Sequence, residues 1–338
     1  SDPCAPLLNR AVQGQYDPGS VFKTVTLLAA LDSGQFTTTS PTYDQSQATE
    51  VIANGFPIKD DPAAEYPPGT PMPATYPMDL VHAYAYSDNV IFARLGLSLG
   101  AQPWLNFAQK FAMSTPDTIV PAPIDTSGAQ PSYIYVNQSG SLDQAQNLAV
   151  SAFGQGQLFL TPLTMSMVTN AVAADGNLYA PRLGLKVVPH CAPPNYTPDT
   201  IPTQNCDAWQ STPDNSPVQL DGGPIFSQQA AQGVRQGMRS DIEYGTVGAS
   251  GTAWQPVVNF SPHIGGKTGT GQISDTHPHP NSWFISLAPD DTNVDGSSSG
   301  SGPAQLTVVI VKENANSGAF ESLIAPEIYN FALPLLGH

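Results

Sequence analysis

Charged side chains are scarce in this 338-residue chain, at 11% of residues against about 25% in an average soluble domain. Basic residues are the rarest: 11 Lys and Arg stand against 27 Asp and Glu, and the net charge is −16. Nucleic-acid binding needs a basic surface that displaces counterions, so this composition argues against a nucleic-acid partner. A surface with so few charges must be covered by Ser, Thr, Asn, Gln and Pro, which favours an extracytoplasmic protein.

Long apolar runs and cysteines are also lacking. No stretch of about 18 apolar residues is present, so the sequence predicts no membrane-spanning helix. The three cysteines are Cys4, Cys191 and Cys206, and none forms the Cys-x-x-Cys pair typical of a structural metal site. Cys191 and Cys206 enclose a Pro- and Asn-rich loop, and two interpretations remain open: reduced thiols, or a disulfide, which requires an oxidising compartment.

The order of predicted elements indicates an α+β fold. Helices are predicted at 20–32, 79–99 (interrupted near "YSDN"), 103–111, 143–154, 161–176, 227–242 and 320–336. Residues 37–78 are expected to form short strands and loops, and 186–224 a Pro-rich insertion. Three strands are predicted late, in "HIGGKTGTGQI", "SWFISLAP" and "QLTVVIVKE". Because the predicted helices come first along the chain and the strands come late, we expect an antiparallel sheet flanked by helices, with a mostly helical subdomain.

The first candidate motif is Ser20-Val21-Phe22-Lys23 in "QYDPGSVFKTVTLLAALDSG". Residues three apart on a helix share a face, so the hydroxyl and the amine are expected to meet. A serine becomes a strong nucleophile only when a base takes its proton, and a lysine can be that base when it is neutral. Alone the pattern is weak, because Ser20 also suits a helix N-cap and Lys23 a solvated surface.

Two further motifs follow, each weak by itself. Ser87-Asp88-Asn89 offers a hydroxyl and an amide that reach one cleft if the backbone is not helical there, although a turn or a cap explains it equally simply. Lys267-Thr268-Gly269-Thr270 offers a cation and hydroxyls suited to a carboxylate, and Gly269 permits close backbone approach. A phosphate-binding loop is excluded, because Ser261 stands where its first glycine would be.

Together and in this order, Ser-x-x-Lys, Ser-Asp-Asn and Lys-Thr-Gly are typical of penicillin-binding proteins and class A β-lactamases. The chain resembles the transpeptidase domain of a high-molecular-mass, class B penicillin-binding protein over nearly its whole length. The supporting stretches are "NRAVQGQYDPGSVFK", "SDNVIFARLGLSLG", "FGQGQLFLTPLTMSMVTNAVAADG", "GMRSDIEYGTVGASGTA", "GGKTGTGQ" and "NSWFISLAP". The resemblance implies the penicillin-binding/β-lactamase-like fold and a single transpeptidase domain over 1–338.

Roles for the motif residues also come from the resemblance. Ser20 is expected to attack the penultimate D-alanine carbonyl of a stem peptide, with Lys23 as general base. Ser87, supported by Lys267, is expected to pass the proton to the leaving amine. Asn89, Thr268, Gly269 and Thr270 are expected to bind the donor peptide, with Thr268 and Thr270 at its carboxylate. The backbone N–H groups of Ser20 and Thr270 are expected to form an oxyanion hole. No cofactor or metal is implied.

This chain differs from class A β-lactamases because it lacks one of their functional glutamates. Those enzymes position the deacylating water with a glutamate between the second and third motifs. Here residues 90–242 contain no glutamate, and Glu243 is the first after Asn89. We therefore expect a D,D-transpeptidase that β-lactams acylate and inhibit. A D,D-carboxypeptidase, a β-lactamase-like hydrolase and a non-catalytic penicillin-binding scaffold are the alternatives.

Two other features have simpler explanations. "HPHP" at 277–280 suggests a metal site, but no carboxylate cluster surrounds it in the sequence, so a loop near the cleft rim is the better interpretation. Trp283 and Phe284 could line a pocket, but their place in an alternating strand favours core packing for at least one of them.

The resemblance finally implies a larger parent protein. Family members carry a strand pair and a helix, and before them a pedestal domain and a membrane anchor, ahead of Ser-x-x-Lys. Only 19 residues precede Ser20 here, so the central sheet is expected to lack its first strands. The expected location is the extracytoplasmic face of the bacterial membrane. A membrane glycosyltransferase or proteins of the division or elongation machinery are expected partners of that parent, beside peptidoglycan stem peptides and β-lactams.

Overall fold

The computed structural model describes residues 7–59, 76–115, 118, 120–121, 128–134, 142, 144–156, 158–182, 218–250, 252–271, 280–315 and 318–336. The helices are Arg10–Gln13 (α1), Lys23–Asp32 (α2), Gln45–Thr49 (α3), Leu80–Ala85 (α4), Asn89–Leu99 (α5), Ala101–Gln109 (α6), Ala145–Ala152 (α7), Pro162–Ala173 (α8), Gln228–Glu243 (α9), Gln255–Val258 (α10), Ala319–Ser322 (α11) and Ala325–Ala332 (α12). Short 3-10 turns occupy Gly19–Phe22, Gly248–Ser250, Thr252–Trp254 and Leu333–Leu336.

The strands are Glu50–Ala53 (β1), Phe56–Lys59 (β2), Met113–Ser114 (β3), Ser132–Ile134 (β4), Leu158–Phe159 (β5), Asn177–Tyr179 (β6), Gln219–Pro224 (β7), Gly265–Gly271 (β8), Asn281–Ala288 (β9) and Leu306–Lys312 (β10). The last three form the antiparallel sheet expected from the sequence, in the order β10-β9-β8. Whether further strands join this sheet in a longer parent stays a prediction.

Strand β9 lies at the centre of this sheet, and all eight of its residues are buried. Its side chains alternate between two cores because successive residues of a strand face opposite sides. Trp283 packs in the larger core with residues of α2 and α5, and Phe284 packs in a smaller core against the C-terminal helices. Both aromatic side chains are fully buried, so core packing is confirmed for both.

Helix α2 runs through the larger core, and eight of its ten residues are buried. Apart from Lys23, two threonines and Asp32 at its C-terminal end, its sequence is apolar all round, which is typical of a helix that lies mostly inside the protein. The threonines are satisfied internally: Thr26 Oγ1 donates to the carbonyl of Ala152 at 2.7 Å and accepts from Trp104 Nε1 at 3.0 Å. Burying this helix places the first motif inside the protein.

Several helix boundaries follow the capping pattern of the sequence. The Thr161 side chain accepts from the amide of Thr164, Pro162 occupies the first turn, and Gly176 has a φ of +93° just beyond α8. The predicted helix at 320–336 is instead divided into α11, α12 and a final 3-10 turn. Pro326 lies in the first turn of α12, where its missing N–H is tolerated.

Other predictions need correction. Residues 37–78 include the short helix α3, whose N-terminus carries a capping box between Asp44 and Gln47. The predicted insertion at 186–224 is shorter, because 219–224 form β7 and pair with β6. Residues 183–217, including Cys191 and Cys206, lie outside the described residues, as do Cys4 and 277–279.

Within the described ranges, no helix is both long and apolar enough to cross a membrane. The same ranges contain no group of three His, Cys, Asp or Glu side chains arranged to hold a metal ion.

Candidate active site

The first motif lies where a 3-10 turn meets helix α2. Gly19 has a φ of +55°, and the turn it begins carries Ser20 to a half-buried position. The alternative interpretation of Ser20 as a helix N-cap is not supported, since no side-chain cap bond is formed at this end. The Ser20 hydroxyl instead accepts a hydrogen bond from Lys23 Nζ at 2.7 Å.

Lys23 is fully buried and contacts both the first and the second motif. Its Nζ also lies 2.7 Å from Asn89 Oδ1, 2.9 Å from the Ser87 carbonyl and 3.1 Å from Ser87 Oγ. With Ser20 Oγ, these make four oxygen atoms around Nζ, one more than the three hydrogens of an ammonium group. All four belong to uncharged groups. In the neutral amine, the nitrogen lone pair is available to the Ser20 hydroxyl hydrogen. The arrangement therefore suits proton abstraction from Ser20.

The second motif is presented by an abrupt turn between α4 and α5. Ser87 has a φ of +59°, a conformation that is uncommon for residues other than glycine. Asp88 follows in extended conformation, and its side chain accepts from the Ile91 amide at 2.7 Å, capping α5. Because the backbone is not helical at Ser87 and Asp88, Ser87 and Asn89 both reach Lys23. A non-helical backbone here is the condition that the sequence sets for the two side chains to share one cleft.

The third motif is held by strand β8. Lys267 is fully buried, and its Nζ lies 2.9 Å from Oδ2 of Asp241, which is also fully buried. Among the described residues, Asp241 is the only hydrogen-bond partner of this ammonium group. The Tyr84 ring lies 5.6 Å from Lys267 Nζ, and the Tyr84 hydroxyl bonds to Thr24 beside Lys23. Tyr84 thus packs between the two lysines.

Asp241 and Thr246 are members of the site that sequence reasoning missed. Asp241 Oδ1 accepts from the Thr246 hydroxyl and, at 3.1 Å, from the Val247 amide. Thr246 Oγ1 in turn lies 2.5 Å from Thr268 Oγ1. Both residues stand in the "GMRSDIEYGTVGASGTA" stretch that supports the resemblance, but no local pattern predicts that this carboxylate meets Lys267.

Strand β8 also lies against the turn that carries Ser20. A β-carbon built on Gly269 would lie 2.8 Å from the Pro18 carbonyl oxygen and 3.0 Å from the Val21 amide nitrogen. The absence of a side chain at Gly269 therefore permits the backbone approach that the sequence predicts. The Thr270 backbone lies against Gly19, and its carbonyl accepts from Gln155 Nε2 at 3.1 Å. Gln155 is the central residue of the Gly-Gln-Gly stretch.

A buried carboxyl group lies next to the nucleophile turn. Asp17 is 9% exposed, and within the described residues its Oδ1 has no hydrogen-bond partner. Burial raises the pKa of Asp17 to about 7. Its carbonyl accepts from Trp283 Nε1 at 2.8 Å, which ties the start of the turn to the central strand.

The three motifs therefore meet at one site, and a family comparison agrees with that arrangement. The model for the penicillin binding protein transpeptidase domain matches residues 1–295. The chain belongs to this family. Membership accounts for the order of the motifs and for the sheet and helices that bring them together.

Two curated relatives carry the name of the same activity. Peptidoglycan D,D-transpeptidase PbpA of Mycolicibacterium smegmatis is 34% identical over 183 residues, covering 54% of this chain and 33% of that protein. PbpA of Mycobacterium tuberculosis is 26% identical over 296 residues, covering 85% of this chain and 50% of that protein. The chain thus spans a third to a half of the length of these relatives.

Solved structures share the fold. The D,D-transpeptidase domain of a peptidoglycan glycosyltransferase from Eggerthella lenta aligns with a TM-score of 0.70 at 22% identity, over 98% of this chain and 69% of that one. A ceftriaxone acyl-enzyme complex of penicillin-binding protein A from M. tuberculosis aligns with a TM-score of 0.68 at 23% identity. The alignment covers 98% of this chain and 64% of that one. The transpeptidase fold expected from the sequence is confirmed.

Proposed function

We propose that this domain is a peptidoglycan D,D-transpeptidase that works through a serine acyl-enzyme on Ser20 and is acylated by β-lactams at the same atom. One observation carries the proposal: the buried Lys23 Nζ lies 2.7 Å from Ser20 Oγ, and its three other oxygen partners belong to the second motif. The names of the PbpA relatives support the choice of substrate.

Acylation begins with transfer of the Ser20 hydroxyl proton to neutral Lys23. Ser20 Oγ attacks the carbonyl carbon of the penultimate D-alanine of a donor stem peptide, and the carbonyl oxygen becomes an oxyanion. The backbone N–H groups of Ser20 and Thr270 stabilise this oxyanion, and one such donor contributes roughly 10²–10³ in rate. The Thr270 backbone lies beside Gly19, next to the nucleophile, as this role requires.

Collapse of the tetrahedral intermediate breaks the bond to the terminal D-alanine, whose nitrogen must gain a proton. Ser87 Oγ lies 3.1 Å from Lys23 Nζ, so it can pass the proton taken from Ser20 to that leaving amine. The amine of a second stem peptide then attacks the acyl-enzyme ester. A new peptide bond forms, and Ser20 regains its proton.

The donor peptide is held by the second and third motifs. Asn89 Oδ1 accepts from Lys23, which orients the Asn89 side chain, and we assign its amide group to a carbonyl of the donor. The donor carboxylate is bound by Thr268 and Thr270, next to the Lys267 cation. Gly269 keeps strand β8 close enough to the nucleophile turn for both ends of the donor to be engaged at once.

We place the domain on the extracytoplasmic side of the bacterial membrane, where peptidoglycan is cross-linked, as part of a longer membrane-anchored protein. The low content of charged residues and the cell-wall activity named for the relatives support this placement. A membrane glycosyltransferase or proteins of the division or elongation machinery are the proposed partners.

Labelling with a fluorescent penicillin, followed by a denaturing gel, tests the proposal. We expect stoichiometric covalent label on the wild-type protein and none on Ser20→Ala or Lys23→Ala, with the melting temperature of each variant recorded to show that it is folded. An unlabelled wild type would contradict the enzymatic proposal and favour a scaffold. Label that is lost within minutes would indicate a hydrolase instead.

The acceptor is tested separately. With a D-Ala-D-Ala donor, a transpeptidase incorporates an added D-amino acid into the product, whereas a carboxypeptidase releases D-alanine by hydrolysis and ignores the added amine. We expect exchange that increases with amine concentration. Hydrolysis that is unaffected by the amine would assign the domain to the carboxypeptidases.

A further inference from the structure

One buried carboxylate is connected to the third motif through both of its oxygen atoms, directly to Lys267 and through Thr246 to Thr268. Asp241 is the fourteenth residue of α9 and is fully buried. Its Oδ2 accepts from the Lys267 ammonium at 2.9 Å, and its Oδ1 accepts from the Thr246 hydroxyl and the Val247 amide. Thr246 then connects Asp241 to Thr268 at 2.5 Å. The steps of the proposed transpeptidase reaction make no use of Asp241.

In this series of hydrogen bonds, the chemistry of each group determines which atom is the donor and which is the acceptor. A carboxylate has no hydrogen to donate, so the single hydroxyl hydrogen of Thr246 points to Asp241. The Thr246 oxygen can therefore only accept from its other neighbour, and the hydroxyl hydrogen of Thr268 must point to Thr246. In this arrangement Thr268 offers the cleft a lone pair and no donor.

A bound carboxylate needs the opposite arrangement. To donate to the ligand, Thr268 must turn its hydrogen outward, and Thr246 must turn its own hydrogen from Asp241 to Thr268. Of the donors that the described part of the chain gives to Asp241 Oδ1, the Val247 amide alone then remains. Binding the donor carboxylate thus takes one hydrogen bond away from the buried anion.

We propose that Asp241 is a positioning residue that restrains carboxylate binding by the third motif, because it pairs with Lys267 and, through Thr246, directs the Thr268 hydrogen inward. The inference rests on the proposed function, in which Thr268 binds the donor carboxylate. Its effect is selectivity. A carboxylate ligand competes with Asp241 both for the hydroxyl hydrogen and for the positive charge, whereas a neutral ester accepts only a weaker hydrogen bond and does not compete for the charge.

The surrounding backbone keeps this chain of bonds in place. The Thr246 amide donates to the Ala85 carbonyl at 3.0 Å, two residues before Ser87. A β-carbon built on Gly245 would overlap both the Ala85 carbonyl oxygen and the Asp241 backbone, so this segment has no room to shift. Substitutions of the Thr246 side chain therefore act on the hydrogen bonds rather than on the path of the loop.

Acylation by penicillin G and by its methyl ester provides the test. The second-order acylation rate constants of both compounds are measured by competition with a fluorescent penicillin, and their acid-to-ester ratio is compared between variants. Thr246→Val has nearly the same shape but no hydroxyl, so the Thr268 hydrogen is released to the ligand. We expect the ratio to rise roughly tenfold, as for a hydrogen bond to a charged group. Thr246→Ser keeps the hydroxyl and is expected to keep the wild-type ratio.

Asp241→Asn provides a second variant. An amide that accepts from Lys267 through its oxygen turns its nitrogen to Thr246 and to the Val247 N–H, which loses its acceptor. The nitrogen donates to Thr246, which sends the Thr268 hydrogen outward, so the ratio is expected to rise here too. Should Asp241→Asn not fold, the Thr246 pair decides the question alone. A ratio that is unchanged or lower in folded Thr246→Val overturns the inference while labelling at Ser20 stands. A wild type that neither compound acylates overturns the proposed function as well.

Discussion

The α-carbon of Gly19 lies against the backbone of Thr270, so closely that a β-carbon at Gly19 would overlap the Thr270 carbonyl group. Position 19 therefore requires glycine for two reasons: a β-carbon has no room there, and Gly19 has a φ of +55°. Both follow from packing an edge strand against the turn that carries Ser20. The contact sets the separation between the nucleophile and the Thr270 N–H, the pair proposed as the oxyanion hole.

Replacing Gly19 with alanine is expected to abolish efficient acylation. The added methyl group must push β8 away from Ser20, and a misplacement of about 1 Å can lower catalysis on the order of 10²-fold. The rate of labelling by fluorescent penicillin measures the effect. Gly34→Ala is a matched control, because Gly34 has a φ of +72° but no atom within 4 Å of the built β-carbon. Equal losses in both variants would show that backbone strain, and not the contact with Thr270, is responsible.

Asn89→Asp is expected to shift the pH dependence of acylation to higher pH. The substitution places a carboxylate where Asn89 Oδ1 now lies, 2.7 Å from Lys23 Nζ. An anion at this distance favours the ammonium form of the lysine, so a higher pH is needed to free the amine that deprotonates Ser20. The measurement is the rate constant of β-lactam acylation between pH 5 and 10.

The control for that shift is Asn89→Leu, which removes the donor amide without adding a charge. It should lower the acylation rate at every pH and should not move the profile to higher pH, because the loss of the Asn89 Oδ1 acceptor disfavours the ammonium form of Lys23. Identical profile shapes for Asn89→Asp and the wild type would argue against Lys23 as the base.

The ion pair between Asp241 and Lys267 should show strong energetic coupling. Both side chains are fully buried, and removing one partner leaves an uncompensated charge, which typically costs about 3–5 kcal/mol. We expect a loss of this size in the free energy of unfolding for Asp241→Leu and for Lys267→Met. The double variant should recover most of it, because it buries no charge. Urea unfolding of the four proteins measures the cycle, and additive losses would contradict a direct pair.

Asp290 is expected to make the protein less stable as pH rises. The side chain is fully buried, its Oδ2 has no hydrogen-bond partner among the described residues, and burial raises its pKa from 3.8 to about 7. The folded state therefore holds a proton that the unfolded state releases near pH 4. The contribution of Asp290 to stability is largest below that pH and falls by about 4 kcal/mol as pH approaches 7.

Asp290→Asn should remove the contribution of Asp290 and leave that of Asp17, so the stability of the variant relative to the wild type should be greater at pH 8 than at pH 4. Urea unfolding across this range provides the comparison. Asp295→Asn is the matched control, because Asp295 is exposed and hydrogen bonds from Ser297 lower its pKa. Parallel curves for the Asp290 variant and the wild type would refute the assignment.

Much of the site could be predicted from sequence because its signals are local. Ser20 and Lys23 are one turn apart, and Ser87 and Asn89 flank a break between helices. The apolar strand "SWFISLA" and the capping sequence at Thr161 specify their own elements. The local pattern left a helix cap open as an alternative role for Ser20, and the tertiary structure decides against it: the turn is 3-10, and the hydroxyl accepts from Lys23.

The sequence by itself therefore determined the chemistry available to this protein: a serine, two lysines, an amide and a glycine-containing strand, in the order of one family. Only the tertiary structure decided which groups control them. Asp241 meets Lys267 across 26 positions of sequence, and Tyr84 reaches Thr24 across 60. No periodicity connects such pairs, because long-range pairing of buried polar groups depends on how helices and strands pack. Burial then makes each pairing necessary, since an unpaired charge inside the core is costly.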